Sequence, residues 1–152
     1  TGEQIFPKEW ETGMADMSQR EISEFLSENH VAHLATVRSD GRPHVTPISY
    51  IHDVENGRAF VMAPANVVKF RNVRQNPKVS LSIANDQRPY DYVVLEGEGR
   101  LTEDNKAQVL ERMCLRYFPE KGLAYPRELL AAGGLLVLEI KVNKVLSRKS
   151  ED

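Results

Sequence analysis

Apolar and polar side chains alternate with a period of two in several short runs of this 152-residue chain, and that period builds sheet rather than helix. Val79, Leu81 and Ile83 alternate with Lys78, Ser80 and Ser82. Near the end of the chain, Leu136, Leu138, Ile140 and Val142 alternate with Glu139, Lys141 and Asn143. Four further runs read as strands: Val31 to Arg38, Pro43 to His52, Arg58 to Ala63 and Tyr90 to Leu101. Tight turns join the first three, with Asp40-Gly41 a strong hairpin signal and Asp53-Val54-Glu55-Asn56-Gly57 the next turn. Pro47, inside the second run, demotes it to an edge, a bulge, or a place where something other than a neighbouring strand uses the backbone. Gly97 and Gly99, on one face of the fifth, mark close packing or a bend. Six strands with tight turns and few helices predict a mainly β fold, a closed or partly closed antiparallel barrel flanked or plugged by helices.

The helical signals are fewer. Ser18 and Glu21 form a capping box, and Ile22, Phe25 and Leu26 follow at helical spacing, which predicts a helix over about Gln19 to Glu28. Ala107, Leu110, Met113, Cys114 and Tyr117 give a second helix its apolar face, and Pro126 to Ala132 suits a short third. Between the third and fourth strands lies a shorter segment, Ala63 to Pro77. Asn66 is a suitable N-cap, Val67, Phe70 and Val73 form a stripe, and Asn76-Pro77 stops the helix. Lys69, Arg71, Arg74 and Lys78 place four cations here with no acid from Asn66 to Lys78, although the chain as a whole carries −2. A helix N-terminus with basic neighbours suits a phosphate. An ordinary solvated amphipathic helix has the same pattern, and on the residues alone both readings stand.

Composition narrows the function class. A pI near 6.1 argues against a general nucleic-acid binder. Cys114 is the single cysteine, which excludes an internal disulfide and a cysteine-based zinc cluster and fits a reducing cytoplasm. No apolar run is long enough to cross a membrane as a helix. The histidine pair His30-x-x-His33 has no accompanying acid motif, so no metal site is expected. Residues 1–17 read as an N-terminal arm and 18–152 as one domain.

The order Leu34-Ala35-Thr36-Val37, Asp40-Gly41-Arg42-Pro43-His44-Val45-Thr46-Pro47, Lys69-Phe70-Arg71-Asn72-Val73, Asn76-Pro77-Lys78-Val79-Ser80-Leu81 and Leu95-Glu96-Gly97-Glu98-Gly99 resembles the pyridoxamine 5′-phosphate oxidase-like split β-barrel family. Within it the chain looks like the small oxidoreductases dependent on FMN or coenzyme F-420. The resemblance implies a six-stranded antiparallel split barrel of FMN-binding type. It also implies a cytoplasmic homodimer with the cofactor held between protomers, a small-molecule substrate, and no nucleic-acid or membrane partner. It places Lys69 on the cofactor phosphate and Arg71 and Asn72 near the phosphate or ribityl chain. His44, Val45, Thr46 and Pro47 would lie along the ring, and Met62 and Ala63 by the ribityl chain. FMN is the expected cofactor and F-420 the alternative; a flavin- or tetrapyrrole-binding protein without turnover is the alternative function. The chain departs from the pattern at Val67-Val68, where many relatives carry a cation or another polar residue before the lysine. Its tail, Val145 to Ser150, lacks an arginine-rich substrate segment, which points away from a vitamin B6 oxidase. No side chain is singled out as catalytic, because in this chemistry the cofactor carries the hydride.

Overall fold

The computed structural model describes residues 14–150; residues 1–13, most of the expected N-terminal arm, and 151–152 lie outside the described residues. The described chain runs β1 (Met14–Ala15), α1 (Gln19–Ser27), β2 (Val31–Val37), β3 (Pro43–Ile48), β4 (Tyr50–Asp53) and β5 (Arg58–Pro64). It continues through α2 (Val68–Gln75), β6 (Lys78–Ala84), β7 (Tyr92–Thr102), α3 (Lys106–Tyr117), α4 (Ala124–Ala132) and β8 (Leu135–Ser150).

Seven strands lie in the order β3-β2-β6-β7-β8-β5-β4, each pair antiparallel, and β1 adds to the far end of β8. The two edge strands are consecutive in sequence, with only Ser49 between them. In a flat sheet, six strand spacings would hold those edges about 29 Å apart, whereas one residue spans about 3.4 Å. The sheet therefore curls until its edges meet at Ser49, giving a mainly β half-barrel flanked by helices.

Two expectations are corrected here. The sheet has seven strands along its path rather than six, because the run Pro43 to His52 is two strands, not one. β3 pairs with β2 and β4 with β5 on the opposite edge, so the strand must break where the chain changes partners. Both prolines of that run sit in β3, an edge strand, where a missing N–H is tolerated. The second correction concerns α2, whose N-cap is Val67 rather than Asn66 and which has no side-chain cap. By contrast the capping box of α1 is complete, with Glu21 N–H donating to Ser18 Oγ and Ser18 N–H to the Glu21 carboxylate.

The main core fills the barrel with Leu34, Tyr50, Val61, Phe70, Leu81, Leu95, Leu138 and their neighbours. A smaller cluster, Ile51, Val109, Met113 and Val137, lies under α3. Tyr50 is fully buried, donates to Leu26 O at 2.7 Å, and has its hydroxyl pKa raised by burial. The Arg116 guanidinium stacks 4.5 Å over that ring and donates to Leu26 O and Glu28 O, tying α3 to the end of α1. The β7–β8 ladder carries a bulge between Glu96 and Gly97. A Cβ on Gly97 would come within 1.9 Å of Lys141 O, so only glycine lets the strands approach so closely.

Candidate functional site

The site is assembled at one end of the barrel, where α2 crosses from the end of β5 to the start of β6. Phe70 and Val73 turn the apolar side of the helix into the barrel, at 0% and 4% exposure. Asn72 lies between them, equally inward, and its Nδ2 donates to Thr36 Oγ1 at 3.0 Å; both side chains are buried. Lys69 precedes Asn72 by three residues and so lies beside it on the helix surface. Lys69 is half-buried and Arg71 exposed, and neither side chain has a hydrogen-bond or ion-pair partner among the described residues. Val67 O accepts from the Phe70 and Arg71 amides, while no side chain caps the helix start. The positive end of α2 is thus open to an anion, with a cation in its first turn.

β3 runs beside β2 in a register that places His44 directly opposite Thr36 and Thr46 opposite Leu34. Residues directly opposite across an antiparallel ladder share a face, so His44 and Thr46 point to the same side as the buried Thr36 and Leu34. His44 Nδ1 and Thr46 Oγ1 are both buried and both without a hydrogen-bond partner. A buried polar atom left unpaired costs about 1–3 kcal/mol. Two of them lie on alternate residues of one edge strand, where an external group can complete the hydrogen bonding; His30 Nε2 and Arg116 Nε are left unpaired in the same way elsewhere. A phosphate, or another group rich in acceptors and backed by polar atoms, fits that set of donors.

The other residues expected at the site lie on further faces of these elements. Val45 and Pro47 stand on the opposite, outer face of β3 and are exposed, Val45 at 57%. Val31, 64% exposed, lies on the same outer side of the sheet. A groove of about 360 Å³ also opens on this face, lined by Ala35, Val37, Pro43, Ser80, Glu96 and Lys144 among others. Met62 packs in the small cluster under α3, while Ala63 faces the main core at 8% exposure. Asn72, expected near the cofactor, is engaged with Thr36. The sequence reading did not find Thr36 as its partner; the two are 36 residues apart and only the fold joins them.

A second polar contact resembles a catalytic dyad. Ser27 Oγ lies 2.9 Å from His52 Nε2. His52 Nδ1, however, accepts the Val54 N–H at 3.4 Å, which leaves the ring proton on Nε2, where it is donated to Ser27. Ser27 Oγ in turn donates to Ser23 O. Burial also lowers the His52 pKa. In this arrangement His52 cannot take a proton from Ser27, and the pair ties α1 to β4. Among the described residues no group of three or more His, Cys, Asp or Glu is placed to hold a metal ion. His30 instead stacks on Phe25, with ring centroids 4.3 Å apart, and Cys114 sits on the buried side of α3 with its thiol pKa raised by that burial. No helix among the described residues is long and apolar enough to cross a membrane.

With this geometry in hand, comparison with known proteins is specific. The family model described as pyridoxamine 5′-phosphate oxidase matches residues 18–149. Heme oxygenase HutZ of Vibrio cholerae is 34% identical over 93 residues, which are 60% of this chain; the chain spans half of that relative's length. Among solved structures, a conserved hypothetical protein of Mycobacterium tuberculosis, Rv2991, superposes with a TM-score of 0.76 at 22% identity, covering 90% of this chain and 86% of that one. A structure described as F420 reductase gives a TM-score of 0.66 at 23% identity, covering 82% and 94%. At these identities the two structures share the fold.

Proposed function

Because the chain belongs to the pyridoxamine 5′-phosphate oxidase family, we propose that it is an oxidoreductase that uses FMN, with F-420 as the alternative cofactor, to move a hydride to or from a small organic molecule. The observation that carries this reading is the unpaired couple His44 Nδ1 and Thr46 Oγ1, buried beside an uncapped helix that carries Lys69. Lys69 and the open N-terminus of α2 hold the cofactor phosphate, and the His44 and Thr46 side chains supply neutral hydrogen bonds to the same ligand. The Val68 backbone amide, at the start of α2, stands in place of a side-chain cation, while the Val67 amide donates to Pro64 O. When bound, the cofactor supplies the hydride chemistry. The protein's own part is to bind and orient it against β3, an edge strand whose outer backbone groups have no neighbouring strand.

The protein works as a homodimer in this reading. Val31, Val45 and Pro47 are apolar and exposed on one side of the sheet, and a second copy covers them. Similarity to a structure described as F420 reductase supports the cofactor class. Similarity to a relative described as a heme oxygenase favours a second reading, a tetrapyrrole-binding protein of the same fold. The absorbance spectrum of the purified protein separates them. A flavin or deazaflavin band, with the matching mass released by heat, supports the first reading. An intense band near 400 nm on adding hemin, with no affinity for FMN or F-420, moves the assignment to the second.

A further inference from the structure

We infer that Asn72 serves the ligand without touching it: through its bond to Thr36 it sets the rotation of α2, and so the position of Lys69. The inference rests on the cofactor reading above and adds a positioning role to it. Helix α2 has eight residues, too few to hold its geometry unaided. Its apolar anchors, Phe70 and Val73, fix how deep it sits but are not directional. The Asn72–Thr36 bond is directional, buried at both ends and 3.0 Å long. The other side-chain hydrogen bonds of this segment, from Arg74 to Ala65 O and from the Lys78 amide to Asn76 Oδ1, stay within 65–78 and do not reach the barrel. The backbone bonds from Ala65 N–H to Gly134 O and from Gly99 N–H to Pro77 O hold the approach and the exit of the helix, not its rotation.

Thr36 is the right place for such a latch. It lies directly opposite His44 in the β2–β3 ladder, so one rigid pairing fixes the latch and the two unpaired ligand-facing groups together. Lys69, one turn before Asn72, follows any rotation of the helix about its axis. Removing the Thr36 hydroxyl therefore moves the cation relative to His44 and Thr46 without substituting any of the three.

The test is Thr36→Val, which keeps the shape and deletes the acceptor, with Thr36→Ser as the restoring variant. FMN is titrated into each by flavin fluorescence, and amide exchange is followed across 68–75. Thr36→Val should weaken FMN binding about tenfold and speed exchange in α2 selectively, and Thr36→Ser should restore both. Val109→Ala, in the small cluster under α3, is the control for destabilisation: it should lower Tm and leave FMN affinity unchanged. Unchanged affinity and unchanged exchange in Thr36→Val overturn the inference, as does an equal loss of affinity in Val109→Ala. Failure of the cofactor reading shows itself separately, as absence of FMN and F-420 binding in the unaltered protein.

Discussion

Two pairs of polar side chains with buried polar atoms lie side by side at the end of the barrel, and they are treated in opposite ways. Thr36 and Asn72 satisfy each other across a 3.0 Å hydrogen bond. His44 and Thr46, on the next strand and on the same face, bury Nδ1 and Oγ1 with nothing to bond. Burial desolvates both pairs. The net gain from a made hydrogen bond is only about 1 kcal/mol, whereas an unmade one costs about 1–3 kcal/mol. A chain that closes one pair and leaves its neighbour open gives up stability at one spot, which a bound ligand would restore. In the proposed reading, the contrast separates residues that build the site from residues that face its ligand.

That contrast can be broken by substitution, and the largest effect belongs to the closed pair. Asn72→Ala removes the bond, strands the Thr36 hydroxyl and opens a small cavity, so urea denaturation should show a loss of about 2–3 kcal/mol. A loss below about 0.5 kcal/mol would mean that the bond carries nothing. The open pair should respond with the opposite sign. His44→Leu with Thr46→Val removes two unsatisfied polar atoms from partly buried positions, and stability should rise by about 1 kcal/mol. Marked destabilisation would show that those atoms already have partners in solution. Lys69→Ala should be nearly silent for stability, within about 0.5 kcal/mol, because its charge has no partner among the described residues. It should weaken FMN binding about ten- to hundredfold, the size of one charge-assisted hydrogen bond.

The smallest effect lies away from the site, at a half-buried polar pair. The Lys149 ammonium and the capping-box bonds at Ser18 hold the Glu21 carboxyl at about 2, well below its ordinary 4.5. A depressed carboxyl contributes stability that is present above about 4.5 and lost as pH falls toward 2. Lys149→Ala should move the Glu21 titration upward, which carbon-detected NMR measures directly, with no change at the barrel end.

How much of this was readable beforehand depends on whether the signal was local. Alternation in Lys78 to Ala84, the Asp40-Gly41 turn and the Ser18–Glu21 capping box are contained within a few residues, and each is realised where the sequence put it. The break at Ser49 is not local: Tyr50 and Ile51 continue an apolar run, and only pairing with β5 on the far edge shows that a new strand has begun. Asn66 has the chemistry of an N-cap, but Val67 takes the position and Asn66 stays exposed. Lys69 could be read from charge alone. The different fates of Asn72 and His44 could not, because each depends on a neighbour supplied by another strand.

The measurement that bears most directly on the account is an equilibrium titration of FMN, with F-420 alongside, into the unaltered protein and into the His44→Leu/Thr46→Val variant. The account predicts saturable binding of one of the two cofactors by the unaltered protein, and at least tenfold weaker binding by a variant that is as stable or more so. Equal affinity in the two proteins, or no affinity in either, would contradict it.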